Sequence, residues 1–397
     1  MSDKRAEAKI LRVITRLNIG GPAIHAVLLS SELNKNGSYR DILVCGKVSE
    51  SEGDMMYLAQ SKGLKPIVIP ELSREISLKK DIKAFFSLLR ILREERPDII
   101  HTHTAKAGTL GRLAAVFSRV PVKVHTFHGH IFDGYFSPVR AKFFLWIERF
   151  LALFTDRVIT VSKRVEEEVI GELKVADKKK SVVVSLGLEF EKFVDCWKQK
   201  GEFRKSLGLD KDTALVGIVG RLVPIKNHKM FLDIAKMVKD KMPERKIRFI
   251  IVGDGESRSY LERYTVSLGL KEHVIFTGWV KELAPVYADL DIIALTSLNE
   301  GTPVSLIEAM AAGKPVISTD VGGVKDVLED GLAGIVVKSM DIEAFSTRLM
   351  ALLKDDEMRH KIGAAGKEAV IKKYSKERLV RDIKSLYAGL ISKTKSA

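Results

Sequence analysis

Four charged residues stand where solubility alone does not explain them. Arg221 and Lys226 lie in "GRLVPIKN" (220–227), a short loop behind the apolar run "ALVGIVG", from which both cations can reach one diphosphate. Arginine supplies a planar fork of donors and lysine a mobile point charge. Glu300 and Glu308 interrupt "ALTSLNEGTPVSLIEAMAAGKPVIST" (294–319), a stretch otherwise apolar or small. Its grammar is strand, loop, short helix, strand: Thr302 is expected to cap the helix, Pro303 to sit in its first turn, and Gly313 with Pro315 to end it. A helix start near 303–305 leaves backbone N–H groups open to an anion. Carboxylates for hydroxyls, beside cations and amides for phosphates, match the needs of a nucleotide-sugar. Taken alone, Arg221 and Lys226 read better as ordinary surface cations; followed by Glu300 and Glu308 in the same half of the chain, they favour a site.

Other candidates are turns and histidines. In "LNIGGPAIHAVLL" (17–29), Gly20 and Gly21 let backbone amides approach a ligand at a helix start. "IIVGDGE" (250–256) carries Gly253 and Gly255, but Arg258 takes the third glycine's place in a dinucleotide fingerprint. It reads as a tight turn near a nucleotide, not as an NAD site. "HTFHGHIFDGYFS" (125–137) gathers His125, His128 and His130 at a strand end. Their spacing in an extended chain does not put all three on one metal face, and no cysteine pair or H-E-x-x-H helix supports zinc, so no metal is expected. His128, before Gly129, fits a substrate-facing residue. His101 and His103 in "HTHTAKAG" fit loop capping at least as well.

The elements that must position these residues alternate throughout. Apolar runs at 10–15, 41–46, 66–70, 97–103, 123–129 and 156–162 read as strands separated by amphipathic helices, and the pattern restarts at 214–222, 246–255, 273–280, 291–297, 314–319 and 333–337. This is βαβ repetition, hence an α/β protein of two doubly wound Rossmann-like domains facing across a cleft. The expected domains are 1–187 and 188–373, with an amphipathic helix at 374–397 packing back toward the first. Ligands of such sheets bind at the carboxyl ends of the strands, so the chemistry is expected between the domains.

The whole chain sets further bounds. Its 397 residues suit two cores, and 46% apolar with 29% charged residues is globular composition. A net charge of +15 asks for an anionic partner. No zinc-finger or RNA-sheet motif accompanies it, so nucleic acid is not expected. Cys45 and Cys196 match no metal or redox spacing and suit a reducing cytoplasm. The amino-terminal residues carry no signal-peptide pattern, and "FFLWIERFLALF" (143–154) is too short and too interrupted by Glu148 and Arg149 to span a bilayer. The segment 132–154, with Tyr, Trp and Phe among Arg140, Lys142 and Arg149, suits either a lipid interface or a buried core face. Cytoplasmic location, with peripheral attachment to the inner face of the plasma membrane, is the expectation.

The combination of "GRLVPIKN", "VGDGE", "FTGWV" and "NEGTPVSLIEAMAAGKPVI" with "GGP", "HTHTAKAGTLGRLAA", "HTFHGH" and "TDRVITVS" resembles glycosyltransferase family 4, the retaining GT-B enzymes, over nearly the whole chain. The stretch 101–137 is especially similar to bacterial enzymes of capsule and O-antigen assembly. The resemblance implies that Arg221 and Lys226 hold the diphosphate, Glu308 the ribose and Glu300 the donor sugar's hydroxyls. It places Gly301, Thr302 and the amides around Pro303, Val304 and Ser305 against sugar and phosphates, Gly278 to Val280 at the edge of the base, Gly21 near the phosphate and His128 near the reacting sugar. "SLGLEFEKF" departs from the family's usual Asn-Gly-Ile/Val-Asp segment at the domain junction. The implied activity is transfer from a nucleotide-sugar, expected to be a UDP-sugar, to a hydroxyl of a lipid-linked saccharide, without metal or cofactor. A UDP-sugar epimerase of the same fold and a non-catalytic nucleotide-sugar-binding protein are the alternatives.

Overall fold

Runs of Ile, Val and Leu bounded by turn residues form thirteen strands among the described residues of the computed structural model, which are 8–35, 37–48, 53–73, 75–129 and 138–396. The first seven are β1 Ala8–Arg16, β2 Tyr39–Gly46, β3 Ile67–Ile69, β4 Ile99–His103, β5 Val122–Phe127, β6 Arg157–Thr160 and β7 Ser181–Val183. The other six are β8 Ala214–Val219, β9 Ile247–Val252, β10 Val274–Gly278, β11 Ile292–Leu295, β12 Val316–Asp320 and β13 Ile335–Lys338. They make two sheets, ordered β3-β2-β1-β4-β5-β6-β7 and β10-β9-β8-β11-β12-β13, with every paired strand parallel. Helices cross between the strands, as parallel pairing demands, and cover both faces. That is why Phe249, Ile250 and Ile251 are consecutive and all buried.

Each sheet is doubly wound, as its alternating pattern implied. The winding reverses between β1 and β4 in the first sheet and between β8 and β11 in the second, which opens a crevice beyond the carboxyl ends there. One compact unit comprises the chain up to Leu188 together with everything from Lys376 onward; the other is Glu189–Ser375. The terminal helix Lys376–Ser396 belongs to the first unit because Leu379, Ile383, Tyr387 and Leu390, at helical spacing, pack with Ile10, Leu28, Leu29, Val124 and Ile159. Arg378 fastens its start by donating to the carbonyls of Ser185 and Leu186 at 2.7 and 2.6 Å.

Candidate functional site

In the second unit, the loops after β8 and β11 meet at the switch point. The amide of Leu298 donates to Ile225 O at 2.8 Å, and Thr296 Oγ1 donates to Asn227 O at 3.0 Å, tying one loop to the other. This brings Lys226 Nζ to 2.5 Å from Glu300 Oε1, an oxygen that also accepts from Ser297 Oγ at 2.6 Å. Glu300 is buried and Arg221 half-buried. The carboxylate is therefore fixed by a cation and a hydroxyl rather than left free in its loop.

A third loop, after β12, holds Glu300 from behind. Gly323 N donates to Glu300 O at 2.9 Å, and a Cβ on Gly322 would lie 1.8 Å from the same oxygen, with φ at +47°. Only glycine fits Gly322. The reading by motif missed it, although "DVGG" after a strand repeats the signal of Gly20 and Gly21 after β1. Gly20 caps the helix Gly21–Asn34. At the neighbouring carboxyl ends, Gly253 N donates to Gly278 O at 3.0 Å, and a Cβ on Gly253 (φ +139°) would meet Gly220 O at 2.0 Å. Arg258, in the place of the fingerprint's third glycine, bonds Asp254 and Glu262 at 2.7 and 2.8 Å. Val280 is half-buried beyond the exposed Trp279.

The helix Val304–Ala311 begins one residue later than expected: Pro303, not Thr302, is its extended capping residue. Proline has no N–H, so the open amides start at Val304 and Ser305, and Gly301 and Thr302 form the approach. The helix ends as its sequence indicated. Gly313 (φ +71°) donates to Met310 O at 2.8 Å and Lys314 N to Ala309 O at 3.0 Å, the paired bonds of a glycine-terminated helix. Glu308 is buried inside it and accepts from Tyr287 Oη at 3.0 Å. Burial raises its pKa to about 7, against the opposing pull of Lys192 and the Tyr287 hydrogen bond. Tyr287, from Ala284–Asp289, carried no chemical motif in the sequence.

The histidines of the first unit do not group as their proximity in sequence suggested. The pleat turns His125 to the face of Thr102, whose Oγ1 lies 2.8 Å from its Nδ1, and a Cβ on Gly108 would touch its ring. His101 and His103 are not loop caps; both lie in β4 and are fully buried. His103 Nδ1 is 3.1 Å from His128 Nε2, and His25 from the first helix meets both rings edge-on, so His25, His103 and His128 bring ring nitrogens within 4.8 Å of one another. Burial keeps all three neutral, with the His128 pKa lowered to about 3. Thr104, directly after His103, holds a left-handed φ of +67°, a strained state for a β-branched residue. His130 and the rest of 130–137 lie outside the described residues.

The helix Pro138–Leu153 turns its aromatics outward. Phe143 and Trp146 are 59% and 62% exposed, Phe150 and Leu153 are exposed beside them, and Glu148 faces inward to a buried ion pair with Arg112. Arg149 donates to Leu173 O at 2.8 Å. This stripe is not a core face. No helix of the described residues is long and apolar enough to cross a membrane, and Cys45 and Cys196 are free and buried.

Two doubly wound sheets, with cations, carboxylates and open helix amides at the switch point of one, define a GT-B-type α/β enzyme. Residues 19–192 match the model of Glycosyltransferase Family 4 and residues 199–369 that of Glycosyl transferases group 1. The chain is 32% identical over 362 residues to the UDP-Gal:alpha-D-GlcNAc-diphosphoundecaprenol alpha-1,3-galactosyltransferase of Escherichia coli, across 91% of this chain and 92% of that one. It is 26% identical over 305 residues to the N,N'-diacetylbacillosaminyl-diphospho-undecaprenol alpha-1,3-N-acetylgalactosaminyltransferase of Campylobacter jejuni, across 75% and 78%. Anabaena HepE in complex with UDP and glucose has the same fold, with a TM-score of 0.82 at 19% identity, covering 96% of this chain and 100% of that one. The chain belongs to the family 4 glycosyltransferases.

Proposed function

We propose that the protein transfers a sugar from a UDP-sugar, with retention, to a hydroxyl of a saccharide linked through diphosphate to a polyprenol, in the assembly of a cell-surface polysaccharide. The observation that carries this is the meeting of Lys226 and Glu300 across the switch point, beside the open amides of Val304 and Ser305. Arg221, Lys226 and those amides neutralise the departing diphosphate, where charge grows in the transition state. Glu300 receives donor-sugar hydroxyls and exchanges part of its bond to Lys226 for them. Glu308 receives the ribose hydroxyls. Gly253 and Gly278 let backbone approach the nucleotide and Val280 borders the base; within the first unit, Gly20 and Gly21 offer amides at the start of the helix Gly21–Asn34. A phosphate oxygen of the leaving group takes the acceptor's proton. The relatives act on diphosphoundecaprenol-linked sugars, which supports the acceptor class. The outward aromatic face of Pro138–Leu153 and the net charge of +15 support attachment to an anionic cytoplasmic membrane surface.

Incubation with UDP-, GDP- and ADP-sugars and short polyprenyl-diphosphate saccharides, read by mass spectrometry, tests the proposal. The expected product gains one sugar, only with a UDP donor and only on the lipid-linked acceptor. Conversion of the donor's sugar without acceptor would instead make the protein an epimerase.

A further inference from the structure

Two buried histidines of the first unit, His101 and His103, are hydrogen-bonded to a group that only donates. Arg12 on β1 is fully buried and gives Nε and Nη2 to Asp41 at 3.1 and 2.6 Å. Its Nη1 lies 2.9 Å from His101 Nδ1 and 3.1 Å from His103 Nε2. Because a guanidinium has no acceptor, His103 Nε2 must accept, and the neutral ring carries its proton on Nδ1. That Nδ1 faces His128 Nε2 at 3.1 Å, so His128 accepts there and keeps its own proton on Nδ1. His128 Nδ1 is buried and has no hydrogen-bond partner among the described residues.

We infer that Arg12 and His103 are positioning residues that set His128 in its Nδ1–H tautomer, leaving that N–H as a prearranged donor for a sugar hydroxyl beyond the carboxyl ends of β4 and β5. Use of the donor on a sugar rests on the proposed function; the tautomer does not. Burial keeps His103 and His128 neutral, so the relay orients a donor without delivering a full proton. The same logic decides against the other use of His25, His103 and His128, which come close enough to hold a metal. A metal on His103 Nδ1 would require a proton on Nε2, where the ring would then point a donor at Arg12.

Long-range ¹H–¹⁵N correlation spectra of ¹⁵N-histidine-labelled full-length protein at neutral pH test this directly, since the chain has 9 histidines. His128→Gln and His103→Leu spectra assign the signals. The expected wild-type pattern is a protonated Nδ1 and bare Nε2 on His128, with a protonated Nδ1 on His103. His103→Leu removes the donor and should release His128 into a mixture of tautomers, while His103→Asn, whose amide reaches the Nδ1 position, should preserve the pattern. In turnover with donor and acceptor, His103→Leu should lower kcat roughly tenfold, with UDP affinity unchanged, and His103→Asn should recover most of it. A wild-type His128 protonated on Nε2 overturns the inference without recourse to any variant. So does one equivalent of added Zn²⁺ binding the three rings, or loss of turnover in His103→Leu with the His128 tautomer unaltered. The expected tautomers in a protein that transfers no sugar would uphold the inference and remove the proposed function.

Discussion

Glu300 and Glu308 are equally buried, yet they face different partners. Glu300 meets Lys226 and Ser297, whereas Glu308 accepts from the neutral Tyr287 phenol, and burial lifts its pKa to about 7 against the pull of Lys192. Ribose hydroxyls are donors, so the ionised form of Glu308 is the binding form. UDP affinity should therefore rise as pH increases through about 7, with release of a proton that Glu308→Gln abolishes; calorimetry in buffers of different ionisation heat counts it. The same shift bears on stability. Folded Glu308 keeps its proton up to about 7 while the unfolded chain releases it near 4.5, so its stabilisation is complete below 4.5 and is lost as pH rises through about 7. The loss is on the order of 3 kcal/mol. For the leaving group, Arg221→Ala should lower kcat/KM about a hundredfold or more with folding intact. Glu300→Gln should lower turnover more than UDP affinity. A reversed pattern in steady-state rates and UDP titration would exchange the two glutamates' roles. The cations and Glu300 were readable because each sits in one short loop with its own signals, and Glu308 because it interrupts the apolar helix that follows. Arg12, His25 and Tyr287 were not, because their partners are remote in sequence: Arg12 and His103 are 91 residues apart. Nothing local announces such a pair.

Elements were more legible than their companions in space. Strands such as Ile247–Val252, broken only by Arg248, and Ile292–Leu295 announce themselves because burial on both faces demands near-continuous apolar runs. The edge strand Ser181–Val183 does not, since it is short, half-buried and polar at its start. The helix Pro138–Leu153 shows a different limit. Its aromatic spacing is compatible with a core face or a lipid-facing one, and only the inward turn of Glu148 to Arg112 fixes which side is out. With Phe143, Trp146, Phe150 and Leu153 outward and Lys142 exposed among them, the helix should bind anionic vesicles. Each nearby basic residue adds about 1 kcal/mol at low salt, and screening removes much of that at higher ionic strength. In sedimentation with anionic liposomes, attachment should weaken with salt, and Trp146→Ser with Phe150→Ser should reduce it at every salt concentration. Protein remaining in the supernatant at low salt would remove the membrane from the proposal.

At the scale of the molecule, the chain leaves its first unit after Leu188, builds the second, and returns at Lys376 to finish the first. The return carries both packing and polar consequences. Leu379, Ile383 and Leu390 cover Ile10, Leu28 and Val124, while Tyr387 Oη accepts from Arg12 Nη2 at 3.3 Å and bonds His101 Nδ1 at 2.6 Å. The last residues of the chain thus complete the surroundings of the first strand's buried arginine. Tyr387→Phe keeps the packing and removes only the hydroxyl. It should destabilise the first unit by about 1–3 kcal/mol, because Arg12 retains Asp41 while His101 loses a short bond. Truncation after Ser375 removes the whole apolar face and should abolish cooperative unfolding of the first unit, while Glu189–Ser375 still melts as a unit. Calorimetry with UDP separates the two, since a ligand stabilises the unit that holds it. In the truncated protein, one UDP-sensitive transition should remain and the other should be lost. A truncated chain that keeps both transitions at full-length temperatures would mean that the terminal helix is an accessory and that the first unit's core is complete without it.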